Sequence, residues 1–367
     1  MSESAAARRL APVRSSMAEL GLQGLLISHL PNLRYLTGFS GSNGWLLLGG
    51  SRAIFVTDGR YEQQAEEELA GDVEFELLVV RDGILGELAD RARQEFGVSK
   101  VGFEGAHISY SDWERLREAG DGVRWETVSG LVEKLRAVKD DDEIAAISRA
   151  AEIAADALHE VLPLVKPGVR EVDIASELDY RMVHLGAERP AFDTIVASGA
   201  RTALPHAATS RRELGEGEFL LCDFGARWRG YCSDLTRTFV VGEPTRRQTQ
   251  TYEKVLRAQQ EAFSALRAGV ACADVDAATR RAFESVGLEA RFPHSTGHGL
   301  GLEVHEGPRL SRRSEELLES RMVVTVEPGL YFPGWGGVRI EDDVVVTGDE
   351  PRPLVDLEKA ELRGLPL

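Results

Sequence analysis

The sequence predicts two domains of different class: a small α/β domain over residues 1–130, then an α+β domain over residues 135–367. Three observations lead there. The chain is 367 residues long, more than one hydrophobic core commonly serves. Its first part alternates short apolar runs with polar, helix-like stretches. Its second part carries a weak internal repeat, each copy joining long helices to a β-rich stretch.

In the first part, Leu25–Ser28, Trp45–Leu48, Ala53–Thr57, Phe75–Val80 and Val101–Phe103 read as strands. Arg8–Leu20, Arg60–Ala70, Leu85–Phe96 and Ser111–Glu118 read as helices. The Gly/Ser-rich stretch Tyr35–Asn43 lacks the lysine of a phosphate loop, so it reads as a strand-to-strand turn or as a flap over a neighbouring site. A boundary falls near Ser129–Lys139. Asp140–Glu143 then offers acids to the positive end of a helix running to about Leu162, where Pro163 and Pro167 stop it.

The repeat begins here. Lys166–Ile174 resembles Arg267–Val275, and each copy follows a long helix (about 142–162 and 248–267). Leu221–Gly225 sits against Thr325–Gly329, and Asp234 corresponds loosely to Glu341. The second domain therefore reads as two related αα-β-hairpin halves, each supplying two acids.

Composition narrows the function classes. Apolar content of 43% fits a packed globular protein, and a net charge of -17 argues against nucleic acid or an anionic membrane as partner. Three cysteines, Cys222, Cys232 and Cys272, are too few for a disulfide framework and fit a reducing compartment. The start MSESAAARRLAPVR has no apolar core of a leader, and no apolar run approaches a membrane span. A cytoplasmic location is the expectation.

Chemistry concentrates in Phe219–Val241. Two β-rich stretches flank a turn from Gly225 to Gly230, with Asp223 on one strand and Asp234 on the other. A turn centred between Trp228 and Arg229 would set the two carboxylates directly opposite. Like charges so placed repel unless a cation lies between them. Three more donors follow. His298 lies in Pro293–Gly301, where the glycines rule out a regular helix and suggest a loop that approaches an ion closely. Glu327 ends an apolar strand just before Pro328, and Glu341 sits in an acid cluster inside a β-rich run. Four carboxylates and one imidazole balance two divalent cations. Mostly oxygen ligands with one nitrogen favour Mn²⁺, Co²⁺, Zn²⁺ or Fe²⁺ over copper.

The strings DFGARWRGYCSDLTRT, HSTGHGLGLEVHEGP, VVTVEPGLY and GGVRIEDDVVVT, over residues 135–360, resemble the dinuclear metallopeptidases of the pita-bread fold. These include aminopeptidase P, prolidase and methionine aminopeptidase; creatinase shares the fold without the metals. The preceding α/β domain, with NLRYLTGFSGSNG, is similar to the creatinase-like N-terminal domain of X-Pro peptidases.

The resemblance implies a pita-bread catalytic domain with internal pseudo-twofold symmetry. It implies two divalent ions per chain, manganese first, with cobalt or zinc as alternatives. Asp223, Asp234, His298, Glu327 and Glu341 would be the metal ligands. Glu327 would also handle the proton of the attacking water. His206, His294 and His305 would meet the substrate, His206 and His305 with catalytic roles, and Arg339 would orient a ligand carboxylate on the substrate side. Tyr231, Phe192, Trp335 and Tyr331 are candidates for the proline pocket. The expected substrates are small peptides with proline second, and the N-terminal domain is expected to form a homodimer or larger homo-oligomer and to help close the site.

The reading taken is an Xaa-Pro aminopeptidase; the alternative is an Xaa-Pro dipeptidase, and a remoter one is a non-catalytic peptide-binding protein on the same fold. Arg309, Arg312 and Arg313 could capture a C-terminal carboxylate, although solvated surface arginines are the plainer reading.

Overall fold

A computed structural model describes residues 5–70 and 75–367. The chain divides into two compact units, Met1–Arg136 and Ala137–Leu367. Residues 1–4, the first of the stretch that lacks the apolar core of a leader, lie outside the described residues. No helix among the described residues is long and apolar enough to cross a membrane.

The first unit is a six-stranded mixed sheet with helices. Its strands are β1 (Gly24–Ile27), β2 (Trp45–Gly49), β3 (Ala53–Asp58), β4 (Phe75–Val80), β5 (Lys100–Glu104) and β6 (Arg124–Val128), in the order β4-β3-β2-β1-β5-β6. Its helices are α1 (Ala5–Glu19), α2 (Leu30–Thr37), α3 (Glu62–Glu68), α4 (Ile84–Phe96), α5 (Tyr110–Ala119) and α6 (Leu131–Ala137). The core packs Leu26, Leu47, Ile54, Val56 and Val101 against Leu88, Ala89, Ala92 and Leu116.

Three features were not read from sequence. β6 is polar and edge-lying, so it has no hydrophobic alternation to betray it. α2 and α6 are only eight and seven residues long. Because α2 ends at Thr37, with Gly38 in the left-handed region at φ 81°, the Tyr35–Asn43 stretch is a helix-to-strand connection rather than a strand-to-strand turn.

The second unit opens on α7 (Asp141–Val161). Asp140 caps it, accepting from the Glu143 amide at 2.9 Å while Glu143 accepts from the Asp140 amide at 2.9 Å. Apolar residues at helical spacing bury one face of α7 against α8 (Glu171–His184). β7 (Arg189–Pro190), β8 (Ile195–Ser198), β9 (Phe219–Phe224), β10 (Ala226–Trp228), β11 (Tyr231–Cys232) and β12 (Leu235–Val241) follow. The second half repeats the plan. α9 (Arg246–Ala265) and α10 (Cys272–Glu284) precede β13 (Gly297–Gly299), β14 (Glu306–Leu310), β15 (Val323–Val326), β16 (Gly329–Phe332), β17 (Gly336–Arg339), β18 (Asp342–Val345), β19 (Arg352–Pro353) and β20 (Gly364–Leu365). The two largest of the resulting sheets, β20-β12-β9-β8 and β14-β13-β15-β18-β19, are antiparallel-rich with helices packed against them, and β11-β10-β7 and β16-β17 form smaller ones. This is the pita-bread architecture with its pseudo-twofold repeat.

The hairpin register corrects one expectation. Thr236, not Asp234, stands opposite Asp223. Trp228 pairs with Tyr231, so the turn is the two residues Arg229 and Gly230. Both have positive φ, 48° and 83°, the conformation of a tight turn whose twist suits a hairpin. The two acids still share a face, because Asp234 and Thr236 lie two apart, but they are diagonal neighbours.

A second correction concerns His298. Its glycines form a short strand, not a loop. β13 is wedged between β14 and β15, and a Cβ on Gly297 would lie 1.9 Å from the Thr325 carbonyl oxygen, one on Gly299 2.1 Å from that of Gly307. Only glycine lets the three backbones approach so closely.

Candidate metal centre

A backbone bridge joins the halves at the site. Thr236 on β12 pairs with Glu341, just before β18, and the Glu341 amide donates to the Thr236 carbonyl at 3.1 Å. Continuing the β15–β18 register, in which Val326 faces Asp342, puts Glu327 across from Glu341. Asp223 at the end of β9, Asp234 entering β12, and Glu327 and Glu341 at the equivalent ends of the second half thus converge. His298 joins them from β13.

One ligand-capable atom from each of Asp234, His298 and Glu341 lies within 4.8 Å of the others, and all three residues are buried. His298 Nε2 is 3.7 Å from Asp234 Oδ2 and 3.6 Å from Glu327 Oε1. Asp223 faces the same cavity of about 200 Å³.

Protonation follows from hydrogen bonding. His298 Nδ1 lies 3.1 Å from the Gly299 carbonyl, which can only accept, so Nδ1 carries the proton and Nε2 turns a lone pair toward the acids. Burial, and then the charge of His305, lowers His298 to about 4, so the imidazole is neutral. Burial together with the charges of Glu341 and Asp223 drives Asp234 well above the usual carboxylate range. Burial and the charge of Glu341 do the same to Glu327. Glu341 is pushed to about 8 by burial and by Asp223, with Arg339 opposing.

Buried oxygens and a nitrogen lone pair therefore face one another at distances too long for hydrogen bonds. A cation is the group that satisfies all of them. The donor set, mostly carboxylate with one imidazole, suits a divalent ion of the first transition row.

Further residues fix these donors. Thr236 Oγ1 donates to Glu341 Oε2 at 2.6 Å. Arg339 is buried; its Nη2 donates to Asp223 Oδ2 at 2.5 Å, its Nε to Thr236 Oγ1 at 3.1 Å and its Nη1 to Tyr331 Oη at 3.1 Å. Asp343 Oδ2 accepts from the Asp234 amide at 2.9 Å. Arg237 spans the halves, donating to the Glu341 carbonyl and to Asp342 Oδ1, each at 2.6 Å. Thr236, Arg237 and Asp343 escaped the sequence reading. The available signal for Thr236 was period two, which puts it on the face of Asp234.

The remaining candidates divide. His206, His294 and His305 all line the cavity with the five donors. His294 has both nitrogens engaged: Nδ1 donates to the Ser295 carbonyl at 2.8 Å, and Nε2 accepts from Tyr331 Oη at 2.9 Å. Burial lowers it to about 4. His305 packs edge-on against His298, with ring centroids 4.4 Å apart, and burial followed by the charge of Arg309 lowers its pKa. Of the aromatic candidates, Phe192 alone lines the cavity, joined by Ile195, Pro205 and Val304. Tyr231 donates to Glu143, Trp335 packs on Phe219 and Phe332, and Tyr331 stands behind Arg339. Isolated apolar residues in connecting segments, such as Pro205 and Val304, carry no pattern that sequence reading could use. Arg309, exposed and opposite His298 in the β13–β14 register, also lines the cavity, whereas Arg312 pairs with Glu289.

Fold and site together define a metal-dependent hydrolase. Residues 145–348 match the model of metallopeptidase family M24, and residues 9–138 match the creatinase/prolidase N-terminal domain. A solved structure described as Xaa-Pro dipeptidase from Bacillus anthracis is 41% identical, covers 98% of this chain and 99% of its own, and superposes with a TM-score of 0.93. Xaa-Pro dipeptidase of Pyrococcus furiosus is 36% identical over 96% of this chain and 98% of its own. The structure of X-Pro aminopeptidase from Thermotoga maritima is 34% identical, covering 96% and 98%, with a TM-score of 0.87. The chain belongs to metallopeptidase family M24. It is a metallopeptidase, and the family uses divalent metal ions.

Proposed function

We propose that this metallopeptidase cleaves the peptide bond before proline, with dipeptides as its preferred substrates. The observation that carries the reading is the convergence of Asp223, Asp234, His298, Glu327 and Glu341 in a cavity that apolar Phe192, Ile195, Pro205 and Val304 also line. An Xaa-Pro bond is a tertiary amide without an N–H. A pocket for it must accept the pyrrolidine ring and need not offer an acceptor to the leaving nitrogen. The relatives described as Xaa-Pro peptidases support the same assignment.

The five donors would hold two divalent ions. Bound there, such ions lower the pKa of a water and polarise the scissile carbonyl. Glu327 would take the proton of the attacking water. His305 and His206 are the imidazoles free to donate to the developing oxyanion and the leaving nitrogen. His294, with both nitrogens engaged, meets the substrate as a wall of the cavity. Arg339 is a positioning residue that fixes Asp223.

The preference for dipeptides rests on Arg309. It is a cation in the cavity wall that pairs with no carboxylate among the described residues. A dipeptide ends in a carboxylate where a longer peptide runs on, so Arg309 reads that terminus. This reverses the aminopeptidase preference of the sequence reading.

Hydrolysis of Ala-Pro and Ala-Pro-Ala by the Mn²⁺-loaded enzyme tests both levels. Ala-Pro should turn over faster, and Arg309→Ala should raise its KM about tenfold or more while leaving Ala-Pro-Ala little changed. Faster cleavage of the tripeptide would sink the dipeptidase reading. Full activity after chelation, or in Asp234→Asn, would sink the metal mechanism.

A further inference from the structure

An open α/β sheet leaves room for ligands at the carboxyl ends of adjacent parallel strands. In the first unit β1, β5 and β6 are parallel neighbours. His29 follows β1, His107 follows β5 and Glu133 follows β6. The sheet brings these three together. His107 Nε2 is 3.1 Å from Glu133 Oε1, and His29 Nδ1 is 4.0 Å from the same oxygen. One ligand-capable atom of each lies within 4.8 Å of the others. The two imidazole rings stack at 3.6 Å with planes 9° apart. An imidazole in its neutral form has one ring nitrogen with a lone pair to offer a cation.

The cluster is braced from behind. Glu104, ending β5, accepts from the Ser28 and His29 amides at 2.7 Å each, which fixes the backbone of His29. Asn32 is fully buried and donates to Glu133 Oε1 at 2.7 Å and to Glu104 Oε1 at 2.6 Å. Arg136 Nη1 in turn donates to Asn32 Oδ1 at 2.7 Å. Burial works to raise Glu133, but the Asn32 hydrogen bond and the charges of His107 and Arg136 outweigh it. The carboxyl is held below its ordinary range and is ionised at neutral pH. Such outer contacts are what orient metal ligands.

We propose that His29, His107 and Glu133 form a metal site separate from the catalytic centre, taking one borderline divalent cation such as Zn²⁺. Two imidazoles and a carboxylate suit Zn²⁺, Co²⁺ or Ni²⁺ and not the hard ions Mg²⁺ and Ca²⁺. Donors bound at about 2.0–2.1 Å in a tetrahedron stand roughly 3.3 Å apart. The observed separations of 3.1 and 4.0 Å from Glu133 Oε1 bracket that value, and the two rings must turn out of their stack to close the site, since an imidazole binds an ion in its own plane. The fourth position is left for water. An ion here ties together the segments that follow three strands, so its effect falls on the stability of this unit.

The test uses the full-length chain with the catalytic donors disabled by Asp234→Asn and His298→Ala. After dialysis against micromolar Zn²⁺, metal analysis should count about one ion per chain. Adding His29→Ala or His107→Ala should remove it, and Zn²⁺ should raise the thermal midpoint only while both histidines are present. No bound ion in the disabled background, or an ion that persists after both histidines are replaced, overturns the proposal. Should that background fail to fold, the unaltered chain and the His29→Ala/His107→Ala variant are compared at Zn²⁺ saturation. A difference of one ion per chain is expected, and equal counts overturn the proposal. Neither arm depends on which peptide the enzyme cleaves.

Discussion

Arg339 shows how one side chain can serve both protein and cofactor. It is buried and ion-paired with Asp223, which is itself only slightly exposed. Removing one partner of a buried pair leaves the other charge without compensation, at about 3–5 kcal/mol. Arg339→Met should therefore destabilise the metal-free protein by about 3 kcal/mol, and distinctly less once ions offset Asp223. Urea unfolding with and without Mn²⁺ makes the comparison; equal losses in both forms would refute the argument. Arg339→Lys should fold better but lose turnover, because a lysine cannot span Asp223, Thr236 and Tyr331 at once. At this scale the sequence was highly legible. The five acid and imidazole donors stand out because charged residues inside β-rich strings are costly without a purpose. Their neighbours were hidden, since Thr236 or Asp343 resembles any polar residue until the fold shows what it touches.

At the scale of elements, β13 carries the clearest test. His298 owes its place to a strand that fits only because Gly297 and Gly299 have no side chains. Gly297→Ala drives a methyl against the Thr325 carbonyl and must separate β13 from β15. The expected cost is about 3 kcal/mol or more, at the upper end for overpacking. The variant should also lose metal affinity beyond what the stability loss explains. Thermal unfolding and metal titration measure the two effects, and normal affinity in a folded Gly297→Ala protein would contradict this role. Glycine clusters misled the sequence reading here: they are compatible with loops and with crowded strands, and only the partners distinguish the two. The hairpin error has a related origin. Positive φ at Arg229 places the turn one position later than its glycines suggested. Long amphipathic elements such as α7 were legible; short or polar ones such as α2 and β6 were not, because periodicity needs length to show.

For the molecule as a whole, the buried acids set a pH dependence that metal should reverse. Glu341 in the folded, metal-free chain is raised from 4.5 to about 8, so folding takes up a proton there. That contribution is complete below the unfolded value and is lost as pH rises toward 8. His294 and His298 act in the opposite sense. Lowered from 6.5 to about 4, they contribute stability above 6.5 that disappears on acidification. The two trends compete below 6.5, and the carboxylate trend stands alone above it. Metal-free protein should thus lose stability between pH 6.5 and 8, and saturating Mn²⁺ should flatten or invert the slope, because ions replace the protons. Denaturant midpoints across that window decide it; a metal-free protein that gains stability there would refute the assignment. The repeated αα-β plan was visible in sequence as a few matched strings, and the structure shows why it matters, since each half alone presents only part of the donor set.

Thr236 joins the halves twice, once through its backbone to the Glu341 amide and once through its hydroxyl to the Glu341 carboxylate. A slip of one position at that seam would turn Glu341 away from the other four donors. Ion uptake during refolding therefore times the docking of the two lobes, apart from the earlier appearance of helices and strands. Circular dichroism and a fluorescent metal indicator, followed side by side, would resolve two phases, the second belonging to the seam.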